Sequence, residues 1–226
     1  MKSKYDKENG IIIGITGGIA CGKTTVSKLL AKKGAIPINA DEIGHQLLLA
    51  DSPVLDQLTD TFGFEILEES GDVSREKLGS IVFKDDKARK KLNNILHPII
   101  IERSRTEARK LVSNNPECVV LLDAPLLIEA GAYDSVDLII VVYASQEIQL
   151  ERIIGRSHLL DKPFNREEAQ ARIDSQMPVS EKLKYADIVI ENEGNLTELK
   201  DQVDDLWEQI QTSLKNPAGV DSLRLL

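Results

Sequence analysis

Apolar residues along this chain come in two rhythms. Short unbroken runs rich in Ile, Val and Leu fall at residues 11–16, 35–40, 118–123, 137–143 and 187–191. They lack polar alternation, which is the pattern of strands buried on both faces of a parallel sheet. Between them, apolar residues recur three and four apart, the spacing of a helix with one buried side. Residues 23–33 form one such stretch, closed by Gly34, and residues 146–156 form another, with Ser145 as its expected cap. A last helix opens at Asn195-Leu-Thr-Glu198, a capping-box-like start, and carries Leu196, Leu199, Val203, Leu206, Ile210 and Leu214 at helical spacing.

The order of elements is β-α-β, a long helical interlude, then β-α-β. That order predicts an α/β fold with a doubly wound parallel sheet of about five strands. The interlude, residues 51–115, reads as a helical substrate-binding region inserted beside a core of residues 11–50 and 116–213. Val54, Leu55 and Leu58, then Leu78, Ile81 and Val82, supply its amphipathic pattern. After Leu92, Ile95 and Leu96, Pro98 is expected to start a new helix, because proline suits the first helical position. Residues 214–226 read as a tail.

Composition narrows the partners. A chain of 226 residues with 42% hydrophobic content can bury the core of one sizeable domain with an insertion. A net charge of −9 argues against nucleic acid or anionic membrane as a partner, since both call for a basic surface. Cys21 and Cys118 are too few for a disulfide framework, and no apolar run reaches the length of a membrane span. The expectation is a cytoplasmic monomer acting on small soluble substrates.

The chemistry starts in the loop after the first strand. Gly17-Gly18-Ile19-Ala20-Cys21-Gly22-Lys23-Thr24, followed by Thr25, fits the phosphate-loop pattern of Gly, four residues, then Gly-Lys-Thr. Glycines let backbone N–H groups approach phosphate oxygens, and the helix that follows turns its positive end to the same anion. Lys23 would reach the β- and γ-phosphates, and the Thr24 hydroxyl would ligate Mg²⁺. Cys21, beside that helix start and near Lys23, is either an activated thiol of lowered pKa or an inert buried one.

Two carboxylates end strands. Asp41 can face the γ-phosphate and orient an acceptor hydroxyl, or it can cap the next helix. Asp123 sits where a carboxylate would hold the Mg²⁺ shell, or it is a turn residue. Arg152 and Arg156 lie four apart on one helix face and lead into a polar stretch that reads as a lid over about residues 156–178. A lid bearing arginines would spread transition-state charge, and Arg172 can point into the same space.

These residues resemble the dephospho-CoA kinases, which phosphorylate the ribose 3′-hydroxyl of dephospho-CoA with ATP. The resemblance runs over residues 12–210. Residues 16–26 look like the family's first motif and Asn39-Ala-Asp41 like its Asp-Ala-Asp. Leu96-His97-Pro98 is similar to its Leu-His-Pro, and Pro125-Leu126-Leu127-Ile-Glu129 to its Pro-Leu-Leu-x-Glu. Residues 172–178 and 186–194 are similar to its lid-helix and adenine-side motifs.

The resemblance implies that Asp41 is the catalytic carboxylate and that His97, Leu126, Leu127 and Glu129 lie near the acceptor. It also implies that Asn192 and Gly194 lie near the adenine of ATP. From the residues alone, His97 is equally a cap or core histidine before Pro98. Asn39 departs from the family's first aspartate. Ile43-Gly44-His45 stands for Ile-Ala-Arg, so the titratable His45 replaces a permanent cation on the acceptor side. A GTP-driven switch is the rival from another class, but the chain has no Asn-Lys-x-Asp with which to read guanine.

Overall fold

The computed structural model describes residues 10–159 and 163–215. Five strands form one sheet: β1 (Ile11–Gly17), β2 (Ile36–Asn39), β3 (Val119–Asp123), β4 (Leu138–Tyr143) and β5 (Ile188–Glu191), in the order β2-β3-β1-β4-β5. β1 lies at the centre, parallel to both β3 and β4, with Ile15 opposite Asp123 on one side and Ile140 on the other. Every residue of β1 and β3 is buried, as their unbroken apolar runs require. The two edge strands differ from that expectation. β5 alternates buried and exposed residues, and β2 carries Pro37, which an edge tolerates because no neighbour needs its missing N–H.

The chain forms two compact units, Met1–Ile38 with Ala108–Leu226 and Asn39–Glu107. In the first, α1 (Lys23–Lys33) and α9 (Leu196–Lys215) pack side by side on the sheet. Val26 and Leu30 from α1, and Leu199, Val203, Leu206 and Ile210 from α9, join Ile11, Ile13, Ile15 and Ile140 in one core. Fully burying each such side chain stabilises the fold by about 1.5–3 kcal/mol. Gly34 ends α1 at φ 119°, in the left-handed conformation that suits glycine at a helix end. Asn195 starts α9 by accepting the N–H groups of Thr197 and Glu198 at 2.8 and 3.1 Å. Between β4 and β5 lie α6 (Gln146–Ser157), α7 (Arg166–Asp174) and α8 (Val179–Lys182).

Ser145 precedes α6 without capping it through its hydroxyl; instead its N–H donates to Glu193 Oε1 at 2.7 Å. A carboxylate from the end of β5 has replaced the local contact that the sequence suggested.

The second unit contains α2 (Ala40–Gln46), α3 (Leu55–Phe62), α4 (Arg75–Lys84) and the first part of α5 (Asp86–Asn114). Leu47, Val54, Leu58, Phe62, Ile66, Val73, Leu78, Ala88 and Ile95 make its own core. The unit takes in α2, ahead of residue 51, and the Leu47 that follows α2 belongs to that core. Pro98 does not start a helix: α5 runs through it. The missing N–H frees the carbonyl of Asn94, an exposed residue that water can satisfy.

Among the described residues no helix is long and apolar enough to cross a membrane. Residues 214 and 215 of the expected tail belong to α9, which runs through Lys215, while residues 216–226 of that tail and residues 160–162 of the expected lid lie outside the described residues.

Candidate active site

β1 brings the chain to Gly17, and α1 takes it up again at Lys23. In between, the loop turns through Ala20 at φ 60° and Gly22 at φ 96°. A Cβ on Gly22 would strike the side-chain amide of Asn192, and one on Gly17 would lie 2.6 Å from the Val142 carbonyl oxygen. Both positions admit only glycine without a shift of their neighbours. Ala20 has a side chain and still adopts the left-handed conformation, at a cost of roughly 1–2 kcal/mol.

That strained turn is fastened from below. Arg152 Nη1 donates to the Ala20 carbonyl at 3.3 Å and Nη2 to the Asn192 carbonyl at 2.8 Å. Asn192 Nδ2 in turn donates to the Cys21 carbonyl at 2.7 Å. The middle of α6 and the residue just past β5 thus set the loop's shape without covering its upper side. Gly22 provides no side-chain cap for α1, so the positive end of that helix stays available to an anion.

Above the loop is a cleft. Gly17, Gly18, Ile19, Ala20, Gly22, Lys23, Thr24 and Thr25 line it together with Pro125, Arg156 and Gln176. Lys23 forms an ion pair with Asp123, their side chains 14% and 11% exposed. Asp123 closes β3 opposite Ile15, so it stands at the carboxyl ends of the strands, where ligands of open α/β sheets bind.

Cys21 does not enter the cleft. It is 0% exposed, and burial pushes its thiol pKa up, outweighing the backbone contacts of Ala144 and Gly18 and the charges of Arg152 and Lys182. The expectation of an activated thiol is therefore overturned, because desolvation of the thiolate exceeds the pull of nearby positive groups. Burial raises Cys118 as well.

The two arginines of α6 part company. Arg156 is exposed and lines the cleft, while Arg152 is spent on the loop's underside. Arg172 lies over the Phe164 ring at 4.0 Å. Leu150, Ile153 and Ala169 form a small core that Ile19, Ala20, Ile154, Phe164 and Ile173 complete, so α6, α7 and the loop pack together. Arg166 grips Glu147 through two hydrogen bonds of 3.2 and 2.8 Å and holds its carboxyl below the usual range.

Sequence reading assigned no contact to Gln176, whose Oε1 accepts the Ile19 N–H at 3.0 Å. It also missed Lys182, which is completely buried. Lys182 Nζ donates to the Pro125 carbonyl at 2.8 Å, and the Thr16 hydroxyl donates to the same oxygen at 3.0 Å. A lysine between Glu181 and Leu183 gives no sequence signal of burial.

The remaining candidates are scattered by environment. Leu126 is partly buried, whereas Leu127 is 1% exposed and fills the space beside Gly14. Glu129 faces Lys182. Gly194 is exposed, with Glu198 where a side chain would go.

In the helical unit, Asn39 Oδ1 accepts the N–H groups of Asp41 and Glu42 at 2.9 and 3.4 Å. Asn39 is therefore the cap of α2. Asp41 sits exposed in the first turn with no capping task, and His45 is exposed in the last turn. His97 lies inside α5, which removes the reading of it as a helix cap.

The profile of the dephospho-CoA kinase family matches residues 11–198. A dephospho-CoA kinase of Carboxydothermus hydrogenoformans is 43% identical over 85% of this chain and 90% of its own length. Among solved structures, TT1252 from Thermus thermophilus superposes with a TM-score of 0.69 at 32% identity, covering 88% of this chain and 97% of that one. The dephospho-CoA kinase from Campylobacter jejuni gives 0.61 at 29% identity, covering 90% and 98%.

Proposed function

The chain belongs to the dephospho-CoA kinase family, and on that premise we propose how its residues divide the phosphorylation of dephospho-CoA. The reaction moves the γ-phosphoryl group of ATP to the ribose 3′-hydroxyl and yields coenzyme A and ADP. No covalent intermediate on the protein is called for, so the protein's work is positioning and charge stabilisation.

The loop from Gly17 to Thr25 takes the phosphates, with the α1 end supplying N–H donors. Lys23 leaves Asp123 for the phosphate oxygens, and Arg156 adds a second cation from the same cleft. Arg152 acts through the loop whose carbonyl it holds. Asn192 and Gly194 stand on the adenine side by family resemblance, Asn192 also bracing the loop.

Mg²⁺ would accompany ATP, and the Thr24 hydroxyl and the Asp123 carboxylate would be the protein oxygens that hold it. Among the described residues there is no cluster of three or more His, Cys, Asp or Glu able to hold a metal. A two-ligand site fits an ion that keeps its waters and takes phosphate oxygens. When bound, Mg²⁺ neutralises charge on the β- and γ-phosphates. Asp123, now paired with Lys23, would be one of the oxygens that hold the ion.

Asp41 orients the 3′-hydroxyl and accepts its proton, a role open to it because Asn39 does the capping. By family resemblance His45, His97, Leu126 and Glu129 are acceptor-side residues. Leu127 supports residues 126–129 from the core.

The observation that carries this reading is a glycine-rich loop, its lysine and Arg156 lining one cleft. ADP release with ATP and dephospho-CoA, AMP, CMP or shikimate offered separately tests it. Stimulation by dephospho-CoA is expected, and stimulation by another acceptor instead would overturn it.

A further inference from the structure

We propose that Lys182 is a positioning residue for the acceptor, acting by fixing the carboxylate of Glu129 and the carbonyl of Pro125. This rests on the reading of Glu129 as an acceptor-side residue. Lys182 closes α8, its side chain 0% exposed, and its Nζ lies 2.8 Å from Glu129 Oε1 and 2.8 Å from the Pro125 oxygen. An ammonium withdrawn from water is costly unless its partners are well placed, and an apolar side chain of the same length would fill this space without that cost. The arrangement therefore points to what the charge holds rather than to the volume it fills.

One of the two groups it holds borders the cleft. Pro125 lines the cleft, and its carbonyl is gripped from two sides, by Lys182 and by Thr16 at the end of β1. The segment that carries Lys182 also carries Gln176, which binds the loop at Ile19. One stretch of chain thus braces the cleft at two walls. Glu129 is half-spent: Lys182 neutralises it by proximity, yet both carboxylate oxygens are buried with no aligned hydrogen-bond donor. A buried carboxylate with unused acceptor capacity calls for a donor. That donor is a hydroxyl or N–H of the bound acceptor, and Lys182 holds the carboxylate aimed to receive it.

Four variants test this: Glu129→Gln, Lys182→Met, Lys182→Gln and the double Glu129→Gln/Lys182→Met. Each is checked for cooperative unfolding, then for KM and kcat with dephospho-CoA and for equilibrium binding of ATP alone. Glu129→Gln and Lys182→Met should each raise the KM for dephospho-CoA roughly tenfold, about the loss of one hydrogen bond to a charged group. ATP binding should change by less than about threefold, and the double variant should be no worse than the poorer single one. Where Lys182→Met does not fold, Lys182→Gln keeps a donor of similar reach without the charge and should still raise that KM. If Lys182 only fills space, either folded variant will keep its KM within about twofold while Glu129→Gln raises it, and the proposal falls. Multiplying effects in the double variant would show that Lys182 acts apart from Glu129 and would also overturn it. A Glu129→Gln enzyme with unchanged KM would instead remove the acceptor-side reading of Glu129 on which the proposal stands.

Discussion

The two units treat their polar groups differently. In the sheet unit Lys23, Asp123, Arg152 and Lys182 are each engaged by another part of the chain. In the helical unit Asp41 and His45 stand exposed on one short helix whose cap, Asn39, is a separate residue. A substitution in the first region therefore disturbs scaffold and chemistry together, while one in the second can remove chemistry alone.

The largest expected effect tests the second half of that statement. Asp41→Asn should lower kcat by roughly 10²–10⁴, the usual worth of an orienting or basic carboxylate, with an unchanged melting temperature and unchanged ATP binding. A loss of stability with normal turnover would make Asp41 structural and erase the contrast.

Next comes a change that should mix the two properties. Asn192→Ala leaves the Cys21 carbonyl without its donor and the Gly22 turn without its neighbour. An unsatisfied buried group costs about 1–3 kcal/mol, and for a chain of this size each of those lowers Tm by roughly 2–4 °C. Thermal unfolding should show that fall together with weaker ATP binding in isothermal titration. Weaker binding with no fall in Tm would mean Asn192 meets the nucleotide without bracing the loop.

A smaller effect sharpens the role of Asn39. Asn39→Ala should cost about 1 kcal/mol as a lost cap, and Asn39→Asp should retain that stability, since an acidic group suits a helix start. Equal melting of all three proteins would show that α2 needs no cap.

The smallest effect concerns Cys21. Its folded pKa is raised by burial, so the unfolded chain loses the thiol proton first as pH rises. Its stability contribution is intact below the ordinary thiol pKa of about 8.5 and declines above it. Tm measured from pH 7 to 10 should fall at the alkaline end, less steeply for Cys21→Ala, and alkylation of the native protein at neutral pH should be slow at Cys21 and Cys118 alike. Fast labelling of Cys21 blocked by MgATP would restore the activated thiol.

What was legible in the sequence follows from how local each signal is. β1 and β3 declare themselves because a strand covered on both faces has no polar position to offer, and Gly34 marks the end of α1 because few residues take its φ. The phosphate loop is readable since its glycines, lysine and flanking elements lie in one short stretch. Ser145 misled because a distant carboxylate meets its N–H, and Pro98 because the carbonyl that its missing N–H frees belongs to the exposed Asn94. Lys182 and Gln176 were silent for a related reason. Their partners, Pro125 and Ile19, are far away in sequence, and nothing in a polar stretch tells a buried lysine from a solvated one.

The position of β1 in the sheet carries a consequence for how the protein comes into being. It is synthesised first, yet Ile11 pairs with Val119 and Ile13 with Leu138, so its neighbours leave the ribosome only after all of Asn39–Glu107 has emerged. Pairings so distant in sequence form late, and a segment with its own core can fold earlier. The helical unit should thus be compact on the nascent chain while the phosphate loop is still unsupported. Chains arrested at increasing lengths would then gain ATP binding only once β4 has emerged, through Tyr143.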